Sequence, residues 1–231
     1  SPFLFITPNL QAKNAFLSEA EIDRLCYPDV TDDRIFGYMT RLTIEQFFDP
    51  AKLNELKSQI REAKGVTVIY GTGASLVSAQ WDLLLYADMA RWEIQMRMRR
   101  NEVSNLGVNN KSLKINDLYK RAYFVDWRVA DRLKRKLMAN WDFVLDTNDK
   151  NQPKMATGTA IRAGLEQAAR QPFRVVPFFD PGPWGGQWMK EVCDLDRSAA
   201  NYAWCFDCVP EENSLLLDFG QLTMEIPSID L

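Results

Sequence analysis

The chain has 231 residues, of which 46% are hydrophobic and 26% are charged, and this composition is typical of a folded globular protein. Its length allows one or two domains with a sizeable core. The net charge of -3 provides no basic field for nucleic acid or anionic lipid, and no apolar run approaches the roughly 18 residues that span a bilayer. The sequence contains no histidine, which excludes histidine triads, imidazole metal sites and histidine bases within these residues.

Two N-capping patterns predict helices near the start of the chain. Ser18 and Glu21 have the spacing of a capping box, which marks the start of a first helix. Asp49 followed by Pro50 places an N-cap before a proline at the first helical position, which marks a second helix. We interpret residues 1–63 as a helical and irregular segment that packs on the domain after it.

A glycine turn follows the first predicted strand, Val66–Tyr70. A strand, a glycine turn and a helix form the layout of a phosphate-binding loop, in which a lysine reaches the outer phosphates of a nucleotide. In this sequence Ala74 occupies the lysine position, and Val68 stands where the motif has its first glycine. The turn would bind nucleotide or phosphate through backbone amides, or it is a tight connection between a strand and a helix. The candidate binding residues in the turn are Gly71, Thr72, Gly73 and Ser75.

Strands and helices alternate through the rest of residues 64–178. Further strands are predicted at Trp81–Ala87, Arg121–Trp127, Phe143–Asp146 and Arg174–Phe178. Segments of helical length separate them, which implies right-handed crossovers and a mostly parallel sheet flanked by helices. The sequence therefore predicts an α/β domain with the three-layer architecture of P-loop kinases. Two of the intervening helices are predicted at Met89–Glu102 and Ala156–Arg170.

Polar residues follow the ends of the predicted strands, where ligands bind in parallel α/β sheets. Asp88 and Asp126 would hold magnesium or orient a hydroxyl nucleophile, or they cap the helices that follow them. Arg91 and Arg128 would clamp an anion, or they pair with these carboxylates. The strand ends that we expect to line one cleft carry Gly71, Asp88, Asp126 and Asp146.

The cysteines are sparse for a chain of this length, and this favours a reducing cytoplasm over a disulfide framework. The four are Cys26, Cys193, Cys205 and Cys208. Cys205 and Cys208 form a CxxC pair, but a zinc site would require a second pair or histidines. We interpret them as ordinary thiols and predict no metal site, with metal or redox use as the alternative.

The pattern changes after residue 178. Asp180–Gly186 is dense in proline and glycine, and short strands follow it at hairpin spacing. We predict a domain boundary near residue 178 and a small antiparallel β segment over residues 179–231. This segment looks too short for a complete sandwich, which usually needs about 100 residues. The predicted strands are Tyr202–Val209, Ser214–Phe219 and Gln221–Ile226.

The segment Pro183–Lys190, with its Trp-Gly-Gly sequence, resembles the opening of class I phosphomannose isomerases, which are cupin enzymes. Asn201–Phe206 is similar to the strand that comes next in that family. In some Bacteroidetes such isomerase domains look fused to an N-terminal domain with a degenerate kinase-like P-loop. The segments that look similar to that fused domain are Gly71–Ser75, Asp88–Glu93, Phe124–Arg128 and Leu145–Asn148.

The resemblance implies a mannose-6-phosphate isomerase-like fold and function for the parent protein, but no zinc ligand carries over. The family takes its zinc ligands from a Gln-x-His motif, a glutamate and a later histidine, and this sequence has no histidine. We therefore expect zinc only in a cupin domain further downstream. The chain itself would be the accessory domain with the opening strands of the cupin.

We expect an accessory, catalytically degenerate kinase-like region in sugar-phosphate metabolism, with a ligand-sensing or structural role. One alternative is an active small-molecule, nucleoside or sugar kinase with an atypical P-loop. Another is a purely structural or oligomerisation module. The expected ligand is a nucleotide, with magnesium, or a sugar phosphate. A homo-oligomer is compatible with the sequence, and we expect neither a nucleic-acid nor a membrane partner.

Overall fold

The computed structural model describes residues 9–78, 80–170, 191–192, 194 and 214–229. Within them the chain forms two compact units. The first contains the residues up to Leu84 together with Ile94–Ala139, and the second contains Leu85–Glu93 and the described residues from Asn140 onward. The domain boundary that the sequence predicts near residue 178 lies outside the described residues.

The first unit is mainly helical. Two short strands within it, β1 (Leu10–Gln11) and β2 (Ile69–Tyr70), pair in parallel. Short 3-10 turns lie at Ala12–Ala15 and Ile44–Phe47, and a third, Met138–Asn140, spans the point where the first unit ends in the chain. The helices are α1 (Glu19–Val30), α2 (Pro50–Glu62), α3 (Ala74–Val77), the larger part of α4 (Arg91–Arg99), α5 (Ile115–Arg121) and α6 (Trp127–Leu137).

Both predicted helix starts are confirmed, because the capping side chains satisfy backbone amides that have no partner inside the helix. Ser18 Oγ accepts a hydrogen bond from the Glu21 amide at 3.3 Å, and the Glu21 carboxylate accepts one from the Ser18 amide at 2.9 Å. Asp49 Oδ1 accepts one from the Ala51 amide at 2.8 Å at the start of α2.

The core of the first unit has two clusters of buried apolar side chains. In the larger cluster the rings of Phe16 and Phe48 pack edge to face with centroids 4.7 Å apart, which is a favourable aromatic geometry. Other buried members of this cluster are Ile22, Ile44, Phe47, Val77, Val125, Val129 and Leu133. The smaller cluster contains Met98, Leu118, Ala122 and Trp127.

The predicted strand Arg121–Trp127 is wrong, because this segment is helical. Helix α5, a π-helical turn at Ala122–Asp126 and α6 follow one another along a continuous helical path. Val125 packs in the larger cluster, whereas Ala122 and Trp127 pack in the smaller one. A helix that is buried on two sides is apolar at most positions, so its sequence resembles a buried strand. Asp126 therefore lies inside a helix and not at a strand end.

The second unit contains a three-stranded sheet in the order β3 (Leu85–Asp88), β4 (Phe143–Asp146) and β5 (Lys154–Thr157). β3 and β4 run in parallel, and β5 runs antiparallel to β4. Helix α7 (Gly158–Ala169) follows β5 directly. The predicted strand at Phe143–Asp146 is confirmed at both ends, whereas β3 starts four residues later than the predicted Trp81.

The mixed α/β class is confirmed, but the predicted sheet requires correction. Within the described residues the strands belong to three separate small sheets, and β2 pairs with β1 rather than with another predicted strand. The predicted helix Ala156–Arg170 starts too early, because Ala156 and Thr157 belong to the antiparallel strand β5 and α7 begins at Gly158. The predicted strand Arg174–Phe178 lies outside the described residues.

A β-hairpin of the second unit confirms the antiparallel pairing predicted near the end of the chain. β6 (Ser214–Asp218) and β7 (Thr223–Pro227) pair antiparallel, and Gly220 in their turn has φ of 85°. Leu217 packs closely on α7, since a Cβ added at Gly164 would lie 3.1 Å from its side chain. The predicted strand Tyr202–Val209 lies outside the described residues.

Candidate functional site

The glycine turn closes on itself through backbone hydrogen bonds. The Ala74 amide donates to the Gly71 carbonyl at 3.0 Å, and the Leu76 amide donates to the Gly73 carbonyl at 2.9 Å. Helix α3, which follows, has only four residues. Two of the amides that a phosphate cradle would present are therefore used inside the turn, and the short helix contributes little dipole.

Gly73 is required by packing. It has φ of 85°, a left-handed conformation that favours glycine. A Cβ at this position would lie 2.7 Å from the Phe48 ring and 3.1 Å from Ile44, both members of the larger cluster. The geometry therefore favours a tight connection between strand and helix over a phosphate cradle. In the same turn Thr72 is exposed and Ser75 is half-buried.

Asp126 belongs to a buried polar network. Its Oδ2 accepts hydrogen bonds from Asn105 Nδ2 at 2.7 Å and from the Leu106 amide at 3.2 Å. The Arg121 Nε lies 3.6 Å from its Oδ1 and supplies a compensating positive charge. Burial raises the pKa of Asp126, against the lowering influence of Arg121 and Asn105. The chain's own donors satisfy Oδ2, whereas Oδ1 is buried beside the Arg121 charge without a hydrogen bond from the described residues.

Arg128 is also buried, on α6. Its guanidinium carbon lies 5.8 Å from the centroid of the Tyr123 ring, a cation–π distance. Arg128 and Asp126 are thus both inside the first unit, in the helical path that replaces the predicted strand Arg121–Trp127. The thiol of Cys26, in the same unit, is free and buried, and burial raises its pKa to about 12, which makes it a poor nucleophile.

Asp88 and Asp146 meet at the carboxyl ends of β3 and β4, as the sequence predicts. The register of the parallel pair places the two residues opposite each other. The Asp88 carbonyl accepts hydrogen bonds from the Thr147 amide at 2.9 Å and the Thr147 hydroxyl at 2.6 Å. The Asp88 carboxylate accepts one from the Met89 amide at 3.1 Å, which is the amide of the next residue and not one in the first turn of α4, since that helix begins at Arg91.

The hairpin occupies this edge of the sheet through Glu225. One oxygen of the Glu225 carboxylate accepts a hydrogen bond from Trp92 Nε1 at 2.8 Å, and the other accepts one from Asn148 Nδ2 at 3.0 Å. The Glu225 amide donates to Asp146 Oδ2 at 2.9 Å. Three hydrogen bonds from one residue therefore attach β7 to the strand ends.

Asn148 connects the hairpin to the turn between β3 and α4. Its Oδ1 accepts a hydrogen bond from the Ala90 amide at 2.8 Å while its Nδ2 donates to Glu225. A second attachment lies nearby, where Lys154 Nζ donates to the Thr223 carbonyl at 2.7 Å. The candidate Arg91 is buried at the start of α4, next to Trp92. Sequence reasoning missed Glu225, and no local pattern around it indicates a partner 79 positions away.

The candidate residues therefore belong to two groups. Asp88 and Arg91 lie in the second unit, in the segment that meets the hairpin, whereas Asp126, Arg128 and the glycine turn belong to the first unit. In the described part of the chain, no three acidic or cysteine side chains are placed to share a metal ion. The predicted CxxC pair lies outside the described residues. No helix in the described ranges has the length and apolar character needed to cross a membrane.

A family model described as "Domain of unknown function (DUF8485)" matches residues 7–170, which are most of the chain. The chain therefore belongs to the DUF8485 family. No curated protein matches it, and no solved structure matches it. The family match ends just after α7, so the hairpin that occupies the sheet edge lies beyond it.

Replacing Arg121 by methionine should leave the Asp126 carboxylate buried without a compensating cation. We expect a loss of about 3–5 kcal/mol in the free energy of unfolding, measured by urea unfolding with far-UV circular dichroism. Lys136→Met is the matched control, because Lys136 and Glu45 form an exposed pair at 2.9 Å. That change should cost about 0–1 kcal/mol. Equal losses in the two variants would contradict a structural role for the buried pair.

Replacing Glu225 by alanine should leave the Trp92 indole and the Asn148 amide without their acceptor. We expect a loss of about 1–3 kcal/mol in stability and faster solvent exchange of the Trp92 indole proton, followed by nuclear magnetic resonance. Glu166→Ala is the control, because among the described residues Glu166 pairs with Arg170 alone, on the exposed face of α7. An unchanged Trp92 indole signal in Glu225→Ala would show that the contact does not persist in solution.

Proposed function

We propose that this member of the DUF8485 family is a non-catalytic accessory region that holds the β-rich segment that follows it. The observation that carries the proposal is the attachment of Glu225 to Trp92, Asn148 and Asp146. Ligands of α/β proteins bind at the carboxyl edge of the strands, and here the chain's own hairpin occupies that edge. Two side-chain donors at that edge, Trp92 and Asn148, are bonded to Glu225 of the hairpin.

We infer that the domain is a degenerate relative of P-loop kinases. The order of β2, glycine turn and α3 supports this inference, as does the parallel pair β3–β4 with an aspartate at each carboxyl end. Ala74 stands in the lysine position, and a kinase without that cation loses a group that stabilises charge during phosphoryl transfer. The remaining candidate carboxylate, Asp126, is surrounded by Asn105, Leu106 and Arg121.

The setting that we propose is a cytoplasmic protein of the mannose-6-phosphate isomerase type, in sugar-phosphate metabolism. This part of the proposal rests on the resemblance of Pro183–Lys190 to the opening of those enzymes. The hairpin belongs to the β-rich segment in which that sequence lies, so the bonds of Glu225 attach a described part of this segment to the end of β4. A ligand-sensing role is the alternative to this structural role, and it requires that a sugar phosphate or nucleotide reach the edge that Glu225 occupies.

The proposal predicts that the chain neither binds nor hydrolyses ATP. The test incubates the full chain with magnesium and ATP, with and without mannose 6-phosphate, and measures phosphate release and the heat of binding by titration calorimetry. Ala74→Lys restores the lysine position and should not restore binding, because the turn amides of Ala74 and Leu76 donate to carbonyls within the turn.

Two outcomes would contradict the proposal, and each identifies its replacement. Phosphate release that Asp88→Asn abolishes and Glu166→Ala leaves intact would establish an active kinase with an atypical loop. Binding of ATP or mannose 6-phosphate without turnover, strengthened by Glu225→Ala, would establish a sensor whose site competes with the hairpin.

A further inference from the structure

The segment from Thr31 to Thr43 contains no helix or strand, yet hydrogen bonds from other parts of the first unit fix it in place. Lys120 on α5 donates to the carbonyls of Thr31, at 3.2 Å, and Asp33. Lys120 is 8% exposed, so its ammonium group is largely committed to this loop. A lysine that is buried to bind carbonyls gives a loop much less conformational freedom than loops usually have.

The far end of the loop is held in the same way. Arg132 on α6 donates to the Thr40 carbonyl at 2.7 Å and to the Leu42 carbonyl at 3.1 Å. The Thr40 amide donates to the Phe124 carbonyl at 2.9 Å. Both ends of the loop are therefore attached to the helical path through α5 and α6.

Short-range hydrogen bonds fix the tip of the loop. The Asp33 carboxylate accepts bonds from the amides of Ile35 at 2.7 Å and Phe36 at 2.6 Å, and these two bonds lower the pKa of Asp33. The Thr31 hydroxyl donates to the Phe36 carbonyl at 3.0 Å. Gly37 lies so close to Asp29 that an added Cβ would be 2.5 Å from the Asp29 carbonyl oxygen. The backbone is thus ordered at each step of the tip.

This ordered loop presents large apolar side chains to solvent. Ile35, Phe36 and Tyr38 are 64%, 68% and 69% exposed, and Met39 and Tyr27 are 45% and 55% exposed. The Tyr27 hydroxyl donates to Asp32 at 2.7 Å, which keeps its ring against the loop. Folding normally buries such side chains, and a rigid loop that displays them has already lost the entropy that binding would otherwise cost.

The exposed area suits a modest protein interface. An aromatic side chain contributes 150–250 Å² when buried, so the three exposed rings with Ile35 and Met39 offer on the order of 500 Å². Two such surfaces in contact would bury on the order of 1,000 Å², which is below the roughly 1,200 Å² of stable interfaces and within the range of weak, transient ones. Two copies of the same surface would therefore suffice for a weak dimer.

The charges at the rim make the surface complementary to itself. Asp32 and Arg34 are both exposed, and in the described part of the chain Arg34 has no hydrogen-bond or ion-pair partner. A two-fold axis through the loop would bring Arg34 of each copy towards Asp32 of the other. The net charge of -3 opposes the approach of two copies only weakly.

We propose that residues 31–39, with Tyr27, form a homodimer interface on which a second copy of this chain is seated about a two-fold axis. The apolar side chains of the tip form the centre of this interface, and Asp32 and Arg34 form its polar rim. This inference does not depend on the accessory role proposed above, because the loop and the hairpin belong to different units.

Analytical ultracentrifugation of the full chain, over a range of concentrations around the micromolar level, tests the interface. We expect a reversible monomer–dimer equilibrium in the parent. Phe36→Asp should weaken the dimer roughly tenfold or more, as expected for the loss of a central aromatic anchor. Leu113→Asp is the matched control: Leu113 is 50% exposed, lies outside the loop, and should leave the dimer unchanged.

Charge reversal shows whether a weaker dimer results from the loss of a two-fold contact or from the loss of folding. Arg34→Glu should weaken the dimer, and the double variant Arg34→Glu with Asp32→Lys should restore it, while circular dichroism spectra of all variants stay alike. A parent that is monomeric at every concentration would overturn the proposal. An association that persists in Phe36→Asp, or a double variant no tighter than Arg34→Glu, would overturn it as well.

Discussion

A strand that ends in a buried carboxylate must satisfy that group with hydrogen bonds, and this requirement organises the second unit. Asp146 is 3% exposed at the end of β4. One of its oxygens accepts from the Asn148 amide two residues on, at 3.0 Å, and the other accepts from the Glu225 amide in the hairpin. Because an unsatisfied buried carboxylate is costly, the loss of the hairpin would leave the second oxygen of Asp146 without its donor. The hairpin is therefore part of the environment in which β4 is stable.

The first unit also contains a buried carboxylate, and its compensating charge comes from the same helical path. Asp126 lies between the two apolar clusters, where its charge is costly, and Arg121 one turn earlier on the path compensates it. Arg121 also donates to the Leu106 carbonyl at 2.9 Å and to Asp23 on α1 at 2.8 Å. Asp126, which sequence patterns suggested for catalysis, therefore connects the helical path to Asn105 and Leu106. Both units use buried charge for structure.

The sequence predicted the elements whose signals are local. The capping patterns at Ser18 and Asp49 identified α1 and α2, and the strand at Phe143–Asp146 was bounded correctly because a short apolar run ends in an aspartate there. The juxtaposition of Asp88 and Asp146 followed from the rule that parallel strands share one carboxyl edge. Each of these predictions depends on residues within a few positions of one another, or on a general rule of topology.

The errors have physical causes as well. Tyr123, Phe124 and Val125 are residues that favour strands, but the helix that contains them is buried against both clusters. Gly73 fits the pattern of a phosphate motif, but glycine is required there because the Phe48 ring leaves no room for a Cβ. Phe48 lies 25 positions earlier in the chain. The fold alone brings Glu225 to Trp92 and Asn148, which are 133 and 77 positions away in the sequence. A pattern within a short stretch of sequence cannot predict contacts between residues so far apart.

Native-state hydrogen exchange on the full chain tests most directly whether the hairpin is held on the sheet. We expect the hairpin amides of β6 and β7 to open together with those of β4, with the same free energy of opening and the same dependence on added denaturant. A hairpin that exchanges rapidly while β3 and β4 remain protected would contradict the account, because the strand ends would then be stable without Glu225.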